Sequence, residues 1–170
     1  TTSIKNLYKN FGQKDKLRSI ENTIGRTLFF DFGILKFKGT NWNLKFLIYS
    51  ATGQDFYAST RPATLQGVDG IIFIADSQQA CLENNLFSWK ELLELFDGFI
   101  YNLPIVISLN KYDLEEIEKL TIDDIKKYFE YEKFKKIFIN KTVAKNGKGV
   151  LKAFKILINF IFPKLKIMAK

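Results

Sequence analysis

An asparagine, a lysine and an aspartate follow one apolar run of this chain: Ile105-Val106-Ile107-Ser108-Leu109 leads directly into Asn110-Lys111-Tyr112-Asp113. A carboxylate there can accept from both the ring N–H and the exocyclic amine of guanine, a donor pair that adenine lacks. The asparagine amide can reach the acceptor edge of a purine, and the lysine stem can lie along its face. Asn and Asp also favour turns and helix caps after strands, so these four residues alone leave the two readings level. An accompanying phosphate site would decide between them.

Three other clusters bear on that question. Ala51-Thr52-Gly53-Gln54 follows the alternating run Leu44–Ser50. A Gly at a strand end lets a backbone N–H approach a phosphate, and a following Gln can orient a water for in-line attack. Gly25-Arg26-Thr27 offers a hydroxyl suited to Mg2+ and a guanidinium suited to charge developing on phosphates. A surface arginine and a β-branched strand opener would look the same. Val143-Ala144-Lys145-Asn146-Gly147-Lys148-Gly149 is either a loop that lays a backbone N–H on a base edge or an ordinary loop with glycines flanking a helix.

The elements that must position these clusters are readable from periodicity. Ile4, Leu7, Tyr8 and Phe11 fall at helical spacing, and the polar stretch 13–25 reads as loop with some helix. Thr27 to Phe37 and Leu44 to Ser50 read as an antiparallel pair around the turn Gly39-Thr40-Asn41. Ile71–Asp76 and Ile105–Asn110 read as buried parallel strands, since their apolar runs are continuous rather than alternating. A helix is expected over about Glu83–Phe96. Thr121-Ile122-Asp123-Asp124 resembles a capping box opening a helix with Ile125, Tyr128 and Phe129 inward. Ile137-Phe138-Ile139 is a short strand, and Val150, Leu151, Phe154, Leu157, Ile158 and Ile161 stripe a last helix that Pro163 closes. Strands alternating with helices indicate a three-layer α/β domain, and ligands bind such sheets beyond the carboxyl ends of the strands.

Composition removes whole classes of chemistry. With no histidine, His-based triads and His-ligated metals are excluded. The lone Cys81 cannot form an internal disulfide, and no apolar stretch reaches the roughly 20 residues that span a bilayer, so a cytoplasmic setting without a transmembrane segment is expected. An apolar fraction of 46% over 170 residues suits one packed domain. The net charge of +8 is concentrated in residues 133–170, which hold 11 Lys and no acid. Arg, which favours base and phosphate recognition, is scarce, so this stretch reads as a solvated lysine-rich face rather than a nucleic-acid surface.

In chain order the clusters are Arg-Thr, Gly-Gln, Asn-Lys-x-Asp and Ala-x-x-Gly, each at a strand end. That order resembles the nucleotide-contacting loops of Ras-like small GTPases. Arg26-Thr27-Leu28-Phe29-Phe30-Asp31-Phe32, Gly53-Gln54-Asp55-Phe56-Tyr57, Gly67-Val68-Asp69-Gly70 and Ala75-Asp76-Ser77 resemble, more closely, the bacterial gliding-motility GTPases of the MglA type, over essentially the whole chain. The resemblance implies a three-layer Ras-like P-loop GTPase fold, with a mostly parallel sheet and one antiparallel edge strand, in a single domain over residues 1–170. It implies a small GTPase that binds GTP and GDP with Mg2+, hydrolyses GTP, and switches cell polarity or motility.

Residue by residue, the resemblance makes Asn110, Lys111 and Asp113 the guanine readers, with Ala144 and Lys145 flanking the base. Thr27 becomes the threonine that senses the γ-phosphate through Mg2+, Gly53 a phosphate neighbour, Gln54 the residue that positions the attacking water, and Arg26 an intrinsic arginine finger. A Roadblock-type partner that accelerates hydrolysis, polarity and motility effectors, and a polar location of the GTP form are implied as well. Two departures stand out. Ser50 and Thr52 occupy positions where relatives carry Asp or Thr and Pro, respectively. No Gly-x-x-x-x-Gly-Lys-Ser/Thr occurs, and the chain opens Thr1-Thr2 where the family's phosphate loop ends Gly-Lys-Thr-Thr. The expectation is that the sequence starts just after that lysine, without the first strand and phosphate loop, and folds poorly alone. Thr1 and Thr2 would then be the last nucleotide-binding residues of that loop, with Thr1 on Mg2+. The alternative is a GTPase-fold interaction module that has lost nucleotide binding.

Overall fold

The computed structural model describes residues 2–12, 17–21, 27–39, 42–51 and 61–165; for 17–21 and 27–31 the description is of backbone. It divides between Gly67 and Val68 into two compact units.

In the first unit, helix α1 (Thr2–Asn10) buries Ile4, Leu7 and Tyr8 at i, i+3, i+4, the stripe the sequence predicts. Strands β2 (Thr27–Lys38) and β3 (Asn43–Ala51) form the expected antiparallel pair, in a register that sets Phe32 opposite Tyr49 and Leu35 opposite Phe46. Cross-strand aromatic packing supports that register, with Phe32 and Tyr49 rings 5.0 Å apart and Phe37 and Phe46 rings 5.6 Å apart. Tyr8 lies flush over Gly33 of β2, where any Cβ would overlap the phenol. Glycine is thus required there for close approach rather than for a turn. A short helix α2 (Arg61–Leu65) follows.

The stretch expected as loop with some helix instead contributes a strand, β1 (Leu17–Glu21), antiparallel to β2 and shifted in register between Ser19 and Glu21. The antiparallel part is therefore a three-stranded sheet, β1-β2-β3. Five residues with a register shift are too few for a period-2 signal, and backbone pairing with the free edge of β2 overrides a polar composition.

In the second unit, β4 (Ile71–Asp76), β5 (Ile105–Asn110) and β6 (Ile137–Lys141) form a parallel sheet in that order. The continuous apolar run of the central strand β5 is buried on both faces, whereas β4, at the end of the described sheet, leaves Ile74 46% exposed. Val106 and its neighbour Ile72 meet Ala153 and Leu157 of helix α5 (Val150–Ile161) on one face. On the other, Phe73 of β4 packs edge-on against Trp89 of helix α3 (Leu82–Phe96), at 5.1 Å, and Phe129 lies 4.9 Å from the same indole. Helix α4 (Ile122–Tyr128) begins with the predicted capping box: Asp124 N–H donates to the Thr121 hydroxyl at 3.1 Å, and Thr121 N–H donates to the Asp124 carboxylate at 2.8 Å. Ile125 and Phe129 are buried as expected, but Tyr128 is 39% exposed, with the Lys127 ammonium over its ring. The buried positions Ile125 and Phe129 are four residues apart, and Tyr128 lies at the margin of that stripe.

Candidate functional site

Strand β5 is buried along its length and delivers Asn110 to its carboxyl end, level with Asp76 of β4. The chain then turns sharply. Lys111 takes a left-handed backbone conformation, φ 62°, and its carbonyl accepts from Leu114 N–H at 3.2 Å. No helix opens on Asn110 or Asp113; the next one starts at Ile122. No helix cap forms at the four residues; they make a turn, which Asn and Asp favour after strands.

Asn110 is the joint of this region. Its side-chain oxygen accepts from Ala144 N–H at 2.9 Å and from the Thr142 hydroxyl at 3.3 Å. Thr142 in turn donates its N–H to Leu109 O at 2.7 Å and accepts from Tyr112 N–H at 3.2 Å. One asparagine and one buried threonine thus tie the turn after β5 to the loop after β6. In the loop read from sequence either as laying a backbone N–H on a base edge or as an ordinary loop, the Ala144 N–H is given to Asn110, and Lys145 beside it is exposed. That loop closes on itself through Val143 N–H to Lys148 O and Gly147 N–H to Val143 O, both 2.9 Å. Gly149, at φ 78°, ends the loop where a side chain would strike the Lys141 carbonyl.

The asparagine oxygen is used for structure, while its amide nitrogen has no partner among the described residues. Asp113 is exposed and has no partner among the described residues. A strapped asparagine with an amide unpartnered among the described residues, and a carboxylate three residues further along the same turn, are a donor and acceptors of the kinds a planar heterocycle can use.

Lys111 does not extend freely into solvent. Its ammonium is 2.6 Å from Asp76 Oδ2. Asp76 also accepts from Gln78 through its backbone N–H at 3.1 Å and its side-chain amide at 3.0 Å. Burial pushes the Asp76 carboxyl up, but hydrogen bonds from Lys111 and Gln78 outweigh it and hold the group below its ordinary value. The same carboxylate, by accepting from Lys111, holds that ammonium above its ordinary value. Asn85 of α3 fixes the Asp76 backbone from both sides, accepting from its N–H at 2.9 Å and donating to its carbonyl at 2.8 Å. Tyr112 lies beneath the Lys141 ammonium, 4.1 Å from its ring, while Lys119 donates to the Tyr112 carbonyl at 3.2 Å.

Sequence reasoning did not assign roles to Asp76, Gln78, Asn85 or Thr142. Asp76 had a usable signal: it is the acidic last residue of an apolar strand, as Asn110 is the polar last residue of its neighbour. The remaining predicted site residues are less informative. Thr1, Arg26, Gly53 and Gln54 lie outside the described residues; Thr27 opens β2 and is described by its backbone; Thr2 opens α1 and is exposed. Among the described residues, no group of three or more His, Cys, Asp or Glu side chains could hold a metal, and no helix is long and apolar enough to cross a membrane.

The sequence model of the Ras family matches residues 6–162. The chain is 33% identical to the mutual gliding-motility protein MglA of Myxococcus xanthus (strain DK1622), over 98% of this chain and 86% of that protein. It is 24% identical to the Ras-related protein Rab-11A of Dictyostelium discoideum, over 92% of this chain and 69% of that one. With the Ras-related protein RABA2a of Arabidopsis thaliana the identity is 25%, over 92% and 68%.

Proposed function

The chain belongs to the Ras family of small GTPases, with an α/β Ras-like fold of the MglA type, and from that premise we propose that it binds GTP and GDP through the turn after β5 and hydrolyses GTP as a molecular switch in cell polarity or motility. One observation carries the reading. The Asn110 side chain straps the Asn-Lys-Tyr-Asp turn to the Ala144 loop, and the Asp113 carboxylate of the same turn is exposed, with no partner among the described residues. Asp113 accepts from the N–H and amine of guanine, and the spare Asn110 amide donates to the purine's acceptor edge. The Lys111 stem covers the base face, and Ala144 and Lys145 flank it.

Hydrolysis requires residues from elsewhere in the chain. Gln54 positions the water, Arg26 stabilises charge on the transferring phosphoryl group, and Gly53 gives a backbone N–H access to the terminal phosphate. Thr1 and Thr2 approach the other phosphates. The hydroxyls of Thr1 and Thr27 are hard oxygen donors, the kind that suits Mg2+ held largely by phosphate oxygens; the ion neutralises phosphate charge when bound. The two units act as one GTPase domain over residues 1–170. A Roadblock-type activating partner and polarity or motility effectors read the nucleotide state, and the GTP form collects at a cell pole from a cytoplasmic pool.

Calorimetry with GDP, GTP and ADP tests the reading. Guanine nucleotides bind and ADP does not, and Asp113→Ala abolishes that preference. If no guanine nucleotide binds, a GTPase-fold interaction module that does not use nucleotide becomes the better description. GTP turnover in an Arg26→Ala/Gln54→Ala variant equal to the parent's would remove the catalytic assignment.

A further inference from the structure

Lys111 is both the residue that turns the chain after β5 and one whose ammonium is engaged. A lysine that only lent its stem to a base would be free to adopt many rotamers, and ordering it on binding would cost entropy. Here its tip is held by Asp76 at 2.6 Å. Asp76 is itself fixed: Gln78 occupies its carboxylate through two donors, and Asn85 clamps its backbone from α3. Ser77, the next residue, donates its N–H to Asn110 O at 2.9 Å, so the ends of β4 and β5 are joined beside the pair.

We propose that Asp76 is a positioning residue for guanine recognition: by pinning the Lys111 ammonium, it preorganises the lysine stem as a shelf for the base, without touching the nucleotide. The inference rests on the guanine-site reading above. It assigns Lys111 a contribution through its methylenes, with its charge directed to Asp76 rather than to the ligand. Both partners are partly solvated, at 53% and 20% side-chain exposure, so the effect is moderate rather than all-or-none.

The test is a double-mutant cycle on the full protein, with GDP affinity measured by calorimetry for wild type, Asp76→Asn, Lys111→Met and the double variant. Asp76→Asn keeps the shape and an oxygen for the two Gln78 bonds to Oδ1, but removes the charge and the Oδ2 acceptor that faces Lys111. It is expected to weaken GDP binding about three- to tenfold. In the Lys111→Met background the same change has no further effect, because the lysine through which Asp76 acts is gone. A purely structural role for Asp76 would weaken binding in both backgrounds, and that result overturns the inference. Unchanged or tighter GDP binding by Asp76→Asn overturns it as well, since it would mean the ion pair competes with the base. If wild-type protein binds no GDP at all, the guanine-site reading falls first and takes this inference with it.

Discussion

Replacing Asn110 by alanine separates what holds the site from what reads the ligand. The substitution removes the acceptor of the Ala144 N–H at 2.9 Å and of the Thr142 hydroxyl at 3.3 Å. Ala144 is 5% and Thr142 2% exposed, so water does not readily replace the lost oxygen. The bond to Ala144 has ordinary length and a buried donor, the case in which removing one partner costs most, while the bond to Thr142 is at the long limit and contributes less. Together they place the cost at about 2 kcal/mol of unfolding free energy. Asp113→Ala, by contrast, removes an exposed group with no partner among the described residues and should change stability by no more than about 0.5 kcal/mol. Both variants should lose guanine-nucleotide binding. The chain has two tryptophans, Trp42 and a buried Trp89, so a Trp42→Phe background lets urea unfolding of the second unit be followed through Trp89 alone. An Asn110→Ala protein as stable as its parent, or an Asp113→Ala protein equally destabilised, would refute the division of labour between strap and reader.

Asp113→Asn exchanges an acceptor pair for one acceptor and one donor, so preference should shift from guanine towards xanthine nucleotides, with guanine affinity lost by about 10- to 100-fold; competition binding measures both. Gly149→Ala, at φ 78° and against the Lys141 carbonyl, should destabilise by about 1–3 kcal/mol in the same urea assay. Tyr8 is fully buried and its hydroxyl has no partner among the described residues, so Tyr8→Phe should leave the melting temperature unchanged or raise it. The Asp76–Lys111 pair also predicts a pH signature. A carboxyl held low stabilises the fold above its ordinary value of 3.8 and loses that contribution as pH falls through its lowered value. A lysine held high stabilises below its ordinary 10.5 and loses the contribution as pH rises beyond that. The stability difference between wild type and Asp76→Asn should therefore be flat through neutral pH and shrink below about pH 4, as urea titrations across that range will show.

Much of the second unit was legible because its signals are local. The continuous apolar run ending in Asn110 states both the strand and its exit, and the Thr121–Asp124 spacing states where α4 begins. The period of α5 is long enough to declare its buried face. What escaped was decided by partners distant in sequence. Nothing local marks Thr142 as the residue that joins two loops, because its bonds run to Leu109, Asn110 and Tyr112. β1 exists through pairing with β2, and its few residues carry no pattern of their own. Tyr128 and Phe129 stand three and four residues from Ile125, spacings that both suit an inward face, so periodicity alone did not separate the exposed ring from the buried one. The Asn-Lys-Tyr-Asp turn was recognisable by composition, yet its asparagine proved to spend its oxygen on the protein itself.

Asn85 uses both ends of its amide on the backbone of a single residue, Asp76, and this indexes α3 against the sheet. A rotation of the helix by one residue, about 100°, would break both bonds at once. The pair of bonds favours one setting of α3 against the end of β4 over its neighbours. Phe87 and Leu95, exposed on that helix, are thus carried by an element tied to the strand end that also holds the Lys111 ammonium.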